Sequence, residues 1–205
     1  MERRMTRGAV ELRKRDDEKP RIGGYASVVY DGTPGTEYWI FDDLVERVMP
    51  GAFDTVLARG DDVAGLWDHD LGQLLGRTAS GTLRLSQDQR GLAFELDLPD
   101  TQLGRDTLAL VERGDVTGAS IGFAVGDGVE VWRREGGIDV REIHSVGFLR
   151  DVSAVTFPAF EATEVGMRAL GDGGEAAESR REFRAGLEAR LAAVRGRAKV
   201  VQRRA

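Results

Sequence analysis

Short apolar runs, cut at close intervals by Gly, Pro, Asp and Thr, recur from residue 22 to residue 157 and limit the fold more than any other feature of the chain. They cover 22–30, 38–41, 45–48, 63–67, 74–78, 82–85 and 92–98, then 120–125, 129–133, 140–146 and 152–157. Such runs are too short for helices that bury one face, and they carry the β-branched and aromatic residues that suit a pleated surface. One stretch breaks the rhythm. Thr101 can cap a helix, Leu103, Leu108, Leu110 and Val111 form its apolar stripe, and Gly114 stops it. A short helix is also expected from Pro50-Gly51-Ala52-Phe53 toward Ala58, with Phe53 as its aromatic anchor. Strands outnumber helices and much of the connectivity reads as hairpins. The expected class is therefore α+β, a mainly antiparallel β-barrel or sandwich with a few surrounding helices.

With 205 residues and 41% hydrophobic content, the chain can bury one core with extensions. Pro20 marks the first boundary, leaving a basic arm over 1–21, and Gly/Ala/Glu-rich sequence from 171 reads as a linker into a basic helix that ends at 205. The body is then 22–170. Charge supports this division: residues 1–21 carry eight Lys/Arg against five Asp/Glu, residues 178–205 carry nine against three, and the net charge is nevertheless -6. An acidic body is a poor phosphate-facing surface, so nucleic-acid binding is not expected. In the last segment Phe183, Leu187, Leu191 and Val194 have helical spacing among arginines, which suits docking on a partner or an acidic surface and equally a solvated tail. No run approaches the ~20 apolar residues of a membrane span and no signal-peptide stretch opens the chain, so a soluble, intracellular protein is expected.

The sequence contains no cysteine, so chemistry must come from oxygen and imidazole. Only His69 and His144 supply imidazole. His69 follows the apolar run that ends at Trp67 and is flanked by Asp68 and Asp70, which places it at a strand end facing either a cleft or solvent. Ser120 stands in Gly118-Ala119-Ser120-Ile121-Gly122, where small neighbours let a substrate backbone approach and leave main-chain N–H groups as oxyanion donors. A serine attacks a carbonyl well only when a base takes its proton and a third group orients that base. The string superficially fits the nucleophile elbow of α/β-hydrolases, but this serine follows a helix and leads into a strand. A catalytic zinc site normally takes three protein ligands, often several histidines, so a metal is discounted. Trp67 and Phe123 read as core.

Seven short strings in order carry a family resemblance: Gly24-Tyr25-Ala26; Met49-Pro50-Gly51-Ala52-Phe53; Asp68-His69-Asp70; Leu75-Gly76; Gly91-Leu92; Ser120-Ile121-Gly122-Phe123; and Asp151-Val152-Ser153-Ala154-Val155-Thr156-Phe157-Pro158-Ala159. Over about 22–165 the chain resembles the prohead (head maturation) serine proteases of tailed bacteriophages, relatives of the herpesvirus assemblin proteases.

That resemblance implies a β-barrel protease with Ser120 as nucleophile and His69 as general base, acting through an acyl-enzyme with no cofactor. Backbone N–H groups of Ile121 and Gly122 are the expected oxyanion donors. Asp151 matches the family's acidic position and is preferred as third member, because an anion stabilises an imidazolium better than a neutral ring does. His144 competes, since the herpesvirus relatives use a second histidine. Two positions depart from the pattern: Asp68 stands where an amide is frequent, and Asp151 where glutamate is commoner. The implied partners are the major capsid protein and scaffold segments, cut inside the assembling procapsid in the host cytoplasm, with self-cleavage and a homodimer left open. The alternative is a non-enzymatic capsid assembly or scaffold-binding factor on the same fold.

Overall fold

The computed structural model describes residues 2–12, 20–126, 128–156, 185 and 189; of the side chains in 2–12 it describes Val10 alone. The strands are β1 (Glu2–Leu12), β2 (Arg21–Val28), β3 (Tyr38–Phe41), β4 (Leu44–Val48), β5 (Ala64–Trp67), β6 (Leu74–Arg77), β7 (Leu83–Gln87), β8 (Gly91–Asp97), β9 (Gly118–Ala124), β10 (Glu130–Glu135), β11 (Ile138–Ile143) and β12 (Phe148–Val155). Two α-helices interrupt them, α1 (Asp54–Arg59) and α2 (Gln102–Arg113). The fold is thus mixed α+β and mostly strand, as the short apolar runs require. The chain divides into a unit Met1–Thr163, which holds all of these elements, and a unit Glu164–Ala205, of which Ala185 and Ala189 are described, both helical. The expected linker from 171 and basic helix to 205 otherwise lie outside the described residues, as do Phe157 and Pro158.

Strands form an eight-stranded sheet in the order β6-β5-β12-β9-β1-β2-β8-β7 and a four-stranded sheet in the order β10-β11-β4-β3. Pairing is antiparallel except for β12 with β5 and β11 with β4. The larger sheet is not closed into a barrel; its edges are β6 and β7. The turn joining them occupies main-chain groups at the end of β6. The Thr82 hydroxyl accepts from the Arg77 N–H at 2.9 Å and lies 3.3 Å from the Arg77 carbonyl, taking up the groups a ladder would use. Residues 2–12, expected as part of a basic arm, supply the strand between β9 and β2. Their alternation is hidden by charged residues, and the pairing rests on main-chain groups that every residue carries.

Alternation along the strands builds the core. Ile22, Phe94, Leu96, Ile121, Phe123, Leu149 and Val152 are buried in one apolar cluster with Phe53, which anchors the start of α1. Trp67 packs against that cluster partly buried. Helix α2 begins where expected: the Thr101 hydroxyl accepts from the Gly104 N–H at 3.2 Å, and Gly114 ends the helix in the left-handed conformation at φ 80°. In the smaller sheet the fully buried Arg141 guanidinium donates to Glu46 at 2.9 Å and to Glu130 at 2.7 Å, tying β11 to both neighbours. Among the described residues no helix is long and apolar enough to cross a membrane.

Three strands of the larger sheet are clamped by Asp97, which accepts from Arg84 at 2.8 Å and from Arg21 at 2.6 Å. The Arg84 bonds, aided by Arg21 and opposed by partial burial, hold its carboxyl at about 2. A carboxyl depressed in the folded state stabilises the fold above its unfolded value near 3.8, and that stability is lost as pH falls toward 2. Asp97→Asn should therefore lower stability by up to about 2 kcal/mol at neutral pH and flatten the loss between pH 4 and pH 2. Urea unfolding midpoints of the two chains across that range measure both effects.

Candidate active site

Strand order brings three distant segments together. β12 lies between β5, whose end leads to His69, and β9, which carries Ser120. Its register sets Ser153 opposite Ser120 and Asp151 opposite Gly122. In β9 the side chains of Ala119, Ile121 and Phe123 enter the core, so Ser120 and Gly122 point to the other face. β12 is phased to match by a bulge: two residues of β12 pass for one of β9 between Leu149 and Asp151. Leu149 thereby stays in the core while Asp151, two residues on, joins Ser120 on the opposite face.

His69 reaches that face from a tight turn. The Asp70 N–H donates to the Trp67 carbonyl at 2.9 Å, and the two central residues have positive φ, 48° at Asp68 and 61° at His69. Positive φ at both positions is the mark of a primed hairpin turn, usually filled by Asn-Gly, and each non-glycine residue held there costs roughly 1–2 kcal/mol. The cost is offset locally. The Asp68 N–H donates to the Ala154 carbonyl at 3.0 Å, the His69 N–H to the Ser153 hydroxyl at 3.3 Å, and Asp70 ties down Gly72 and Gln73.

The result is a continuous hydrogen-bonded line. His69 Nε2 lies 2.7 Å from Ser120 Oγ, and His69 Nδ1 lies 2.5 Å from Asp151 Oδ2. Burial pushes the Asp151 carboxyl up, but the bonds from His69, Arg150 and Ser153 outweigh it and hold it below its ordinary value. An ionised carboxylate only accepts, so Nδ1 is the donor toward Asp151, and Nε2 faces the serine O–H. A hydroxyl, an imidazole and a carboxylate in this line can lower the barrier to acyl transfer, because the ring removes the serine proton while the carboxylate stabilises the charged ring. His144 is not part of it: its ring bonds Glu142 at 3.1 Å and is 39% exposed. Among the described residues no cluster of His, Asp or Glu could hold a metal ion.

Two further residues serve Asp151. The Ser153 hydroxyl donates to Asp151 Oδ2 at 2.8 Å, and Arg150 Nε donates to Oδ1 at 2.6 Å. Ser153 was legible in principle, since residues two apart on a strand share a face. Arg150 was not, because the bulge sets it out of phase. Gly122 has a steric role: a Cβ there would stand 2.2 Å from Asp151 Oδ1 and 3.0 Å from Arg150 Nη2. Gly122→Ala should displace the carboxylate and cost about 1–3 kcal/mol of stability, read as a lower urea midpoint.

The strand expected from Ser120 begins two residues earlier: Gly118–Ala124 is β9, paired with β12 on one side and β1 on the other. The Gly147 N–H donates to the Ala124 carbonyl on the β12 side, and the Val10 N–H donates to the Thr117 carbonyl on the β1 side. Main-chain groups alternate along a strand, so those of Ala119, Ile121 and Phe123 face β1 and those of Ser120 and Gly122 face β12.

A side-chain line of this kind is the arrangement that serine hydrolases use. The profile of the Caudovirus prohead serine proteases matches residues 8–172, and the chain belongs to that family. No curated protein and no solved structure matches it. Membership of the family implies a role in phage head maturation alongside capsid and scaffold proteins.

Proposed function

We propose that this chain is an active endopeptidase that cuts scaffold and major capsid protein segments, and itself, within the assembling procapsid. The observation that carries the reading is the buried line from Ser120 through His69 to Asp151. In this mechanism His69 Nε2 takes the Ser120 proton as Oγ attacks the scissile carbonyl. Asp151 stabilises the imidazolium, which then gives its proton to the departing amine, and water releases the acyl group by the same relay. No cofactor enters these steps. Ile121 supplies the N–H for the oxyanion, because its main chain faces the β1 side; Gly122, whose N–H faces β12, contributes clearance for Asp151.

Ser120 is fully buried, the one observation that favours the non-enzymatic reading. Co-expression with the phage capsid precursor, followed by intact-mass measurement of both chains, separates the two. New termini on the precursor and on this chain are expected. Capsid association with both masses intact would sink the protease reading.

A further inference from the structure

Ser120 and Asp151 are 0% exposed and His69 6%, so no peptide can reach the hydroxyl until something leaves. The backbone identifies what lies beside it. Residues 2–6 run antiparallel to the strand that carries the nucleophile, with Arg4 opposite Ile121, Met5 opposite Ser120 and Thr6 opposite Ala119. A residue that faces its antiparallel partner exchanges both main-chain hydrogen bonds with it, so the Ile121 N–H meets the carbonyl of Arg4. This is how an extended peptide adds to a sheet edge, and it sets a peptide carbonyl on the donor assigned above to the oxyanion.

Three features separate this segment from the rest of β1. Residues 2–9 pair with β9, whereas the pairing with β2 involves Val10, Glu11 and Leu12, so the first residues are held along one edge and the last belong to the sheet. The register slips between Thr6 and Arg7 and again between Arg7 and Gly8, leaving three residues opposite Ala119. The family match begins at residue 8, at that slip, so residues 2–6 lie outside the matched stretch.

We infer that the β1-side edge of β9, from Ala119 to Phe123, is the position in which a peptide substrate binds as an added antiparallel strand, and that residues 2–6 fill it in cis. The inference rests on the protease reading of Ser120. Substrate then competes with the chain's own segment, and activity requires that segment to swing out about the slip at Thr6–Gly8 or to be removed.

The register supplies the test. The Arg4 N–H faces β9 and the Met5 N–H faces away, so proline at position 4 breaks the ladder whereas proline at position 5 leaves it. Full-length parent, Arg4→Pro and Met5→Pro chains are compared by amide exchange at Ile121 and by the rate at which a fluorophosphonate labels Ser120. Arg4→Pro should speed both by about tenfold or more, with Met5→Pro within about twofold of the parent. Unchanged rates in Arg4→Pro, or equal effects of the two prolines, would overturn the inference. So would an Arg4→Pro chain that circular dichroism shows to be unfolded, since the segment would then belong to the core and not to a replaceable strand. Faster exchange at Ile121 with no labelling of Ser120 in any chain would overturn the protease reading while leaving the strand assignment intact.

Discussion

Replacing Ser120 with alanine will abolish processing of a co-expressed capsid precursor, a loss on the order of 10^5-fold or more in the rate of bond cleavage. No neighbouring group can substitute. The Ser153 hydroxyl is also buried beside His69, but it lies at Nδ1 and donates to Asp151, on the side of the ring away from Ser120. The variant should stay folded, because alanine fits the space and the His69 Nε2 left without a donor costs only about 1–3 kcal/mol. Intact mass gives the first readout and urea unfolding the second. Full processing by a folded Ser120→Ala chain would end the assignment.

Asp151→Asn should cost roughly 10^3–10^4-fold in the same assay, with His144→Ala within about twofold of the parent. The reason lies in the count of donors. Arg150 Nε, the Ser153 hydroxyl and His69 Nδ1 all point at the Asp151 oxygens, which as a carboxylate accept all three. An asparagine has one oxygen, so its amide NH2 must face at least one of those donors. If it faces the ring, His69 turns to the tautomer whose Nε2 carries the proton and can no longer take one from Ser120. A large loss in His144→Ala with little change in Asp151→Asn would move the third role to His144.

The sequence reading and the structure part company where pairing, not pattern, decides. His69, Ser120 and Asp151 could be named because the chain offers only two histidines and because the strings around them resemble a known family. Helix α2 could be placed because Thr101 and Gly114 mark its ends by local chemistry. Strand β1 could not, since its residues carry no clean alternation and most of the strand, residues 2–9, is held by main-chain bonds to β9, more than a hundred residues away. The open edge between β6 and β7 was likewise hidden, because closure depends on which strands pair and leaves no mark in the pattern of apolar residues. Arg150 was hidden by the bulge, which is visible only once β12 is laid against β9.

The place of β12 in the strand order has a consequence for when this protein can act. The imidazole comes from the turn after β5 and the hydroxyl from β9, and the last of the described strands to be synthesised is the one that slots between them. A nascent or shortened chain that stops before Phe148 has both reacting groups but nothing to hold them side by side. Long-range insertion of this kind is slow compared with local hairpin formation. On the protease reading, catalytic competence therefore belongs to the completed fold, and a chain lacking β12 leaves capsid and scaffold segments uncut.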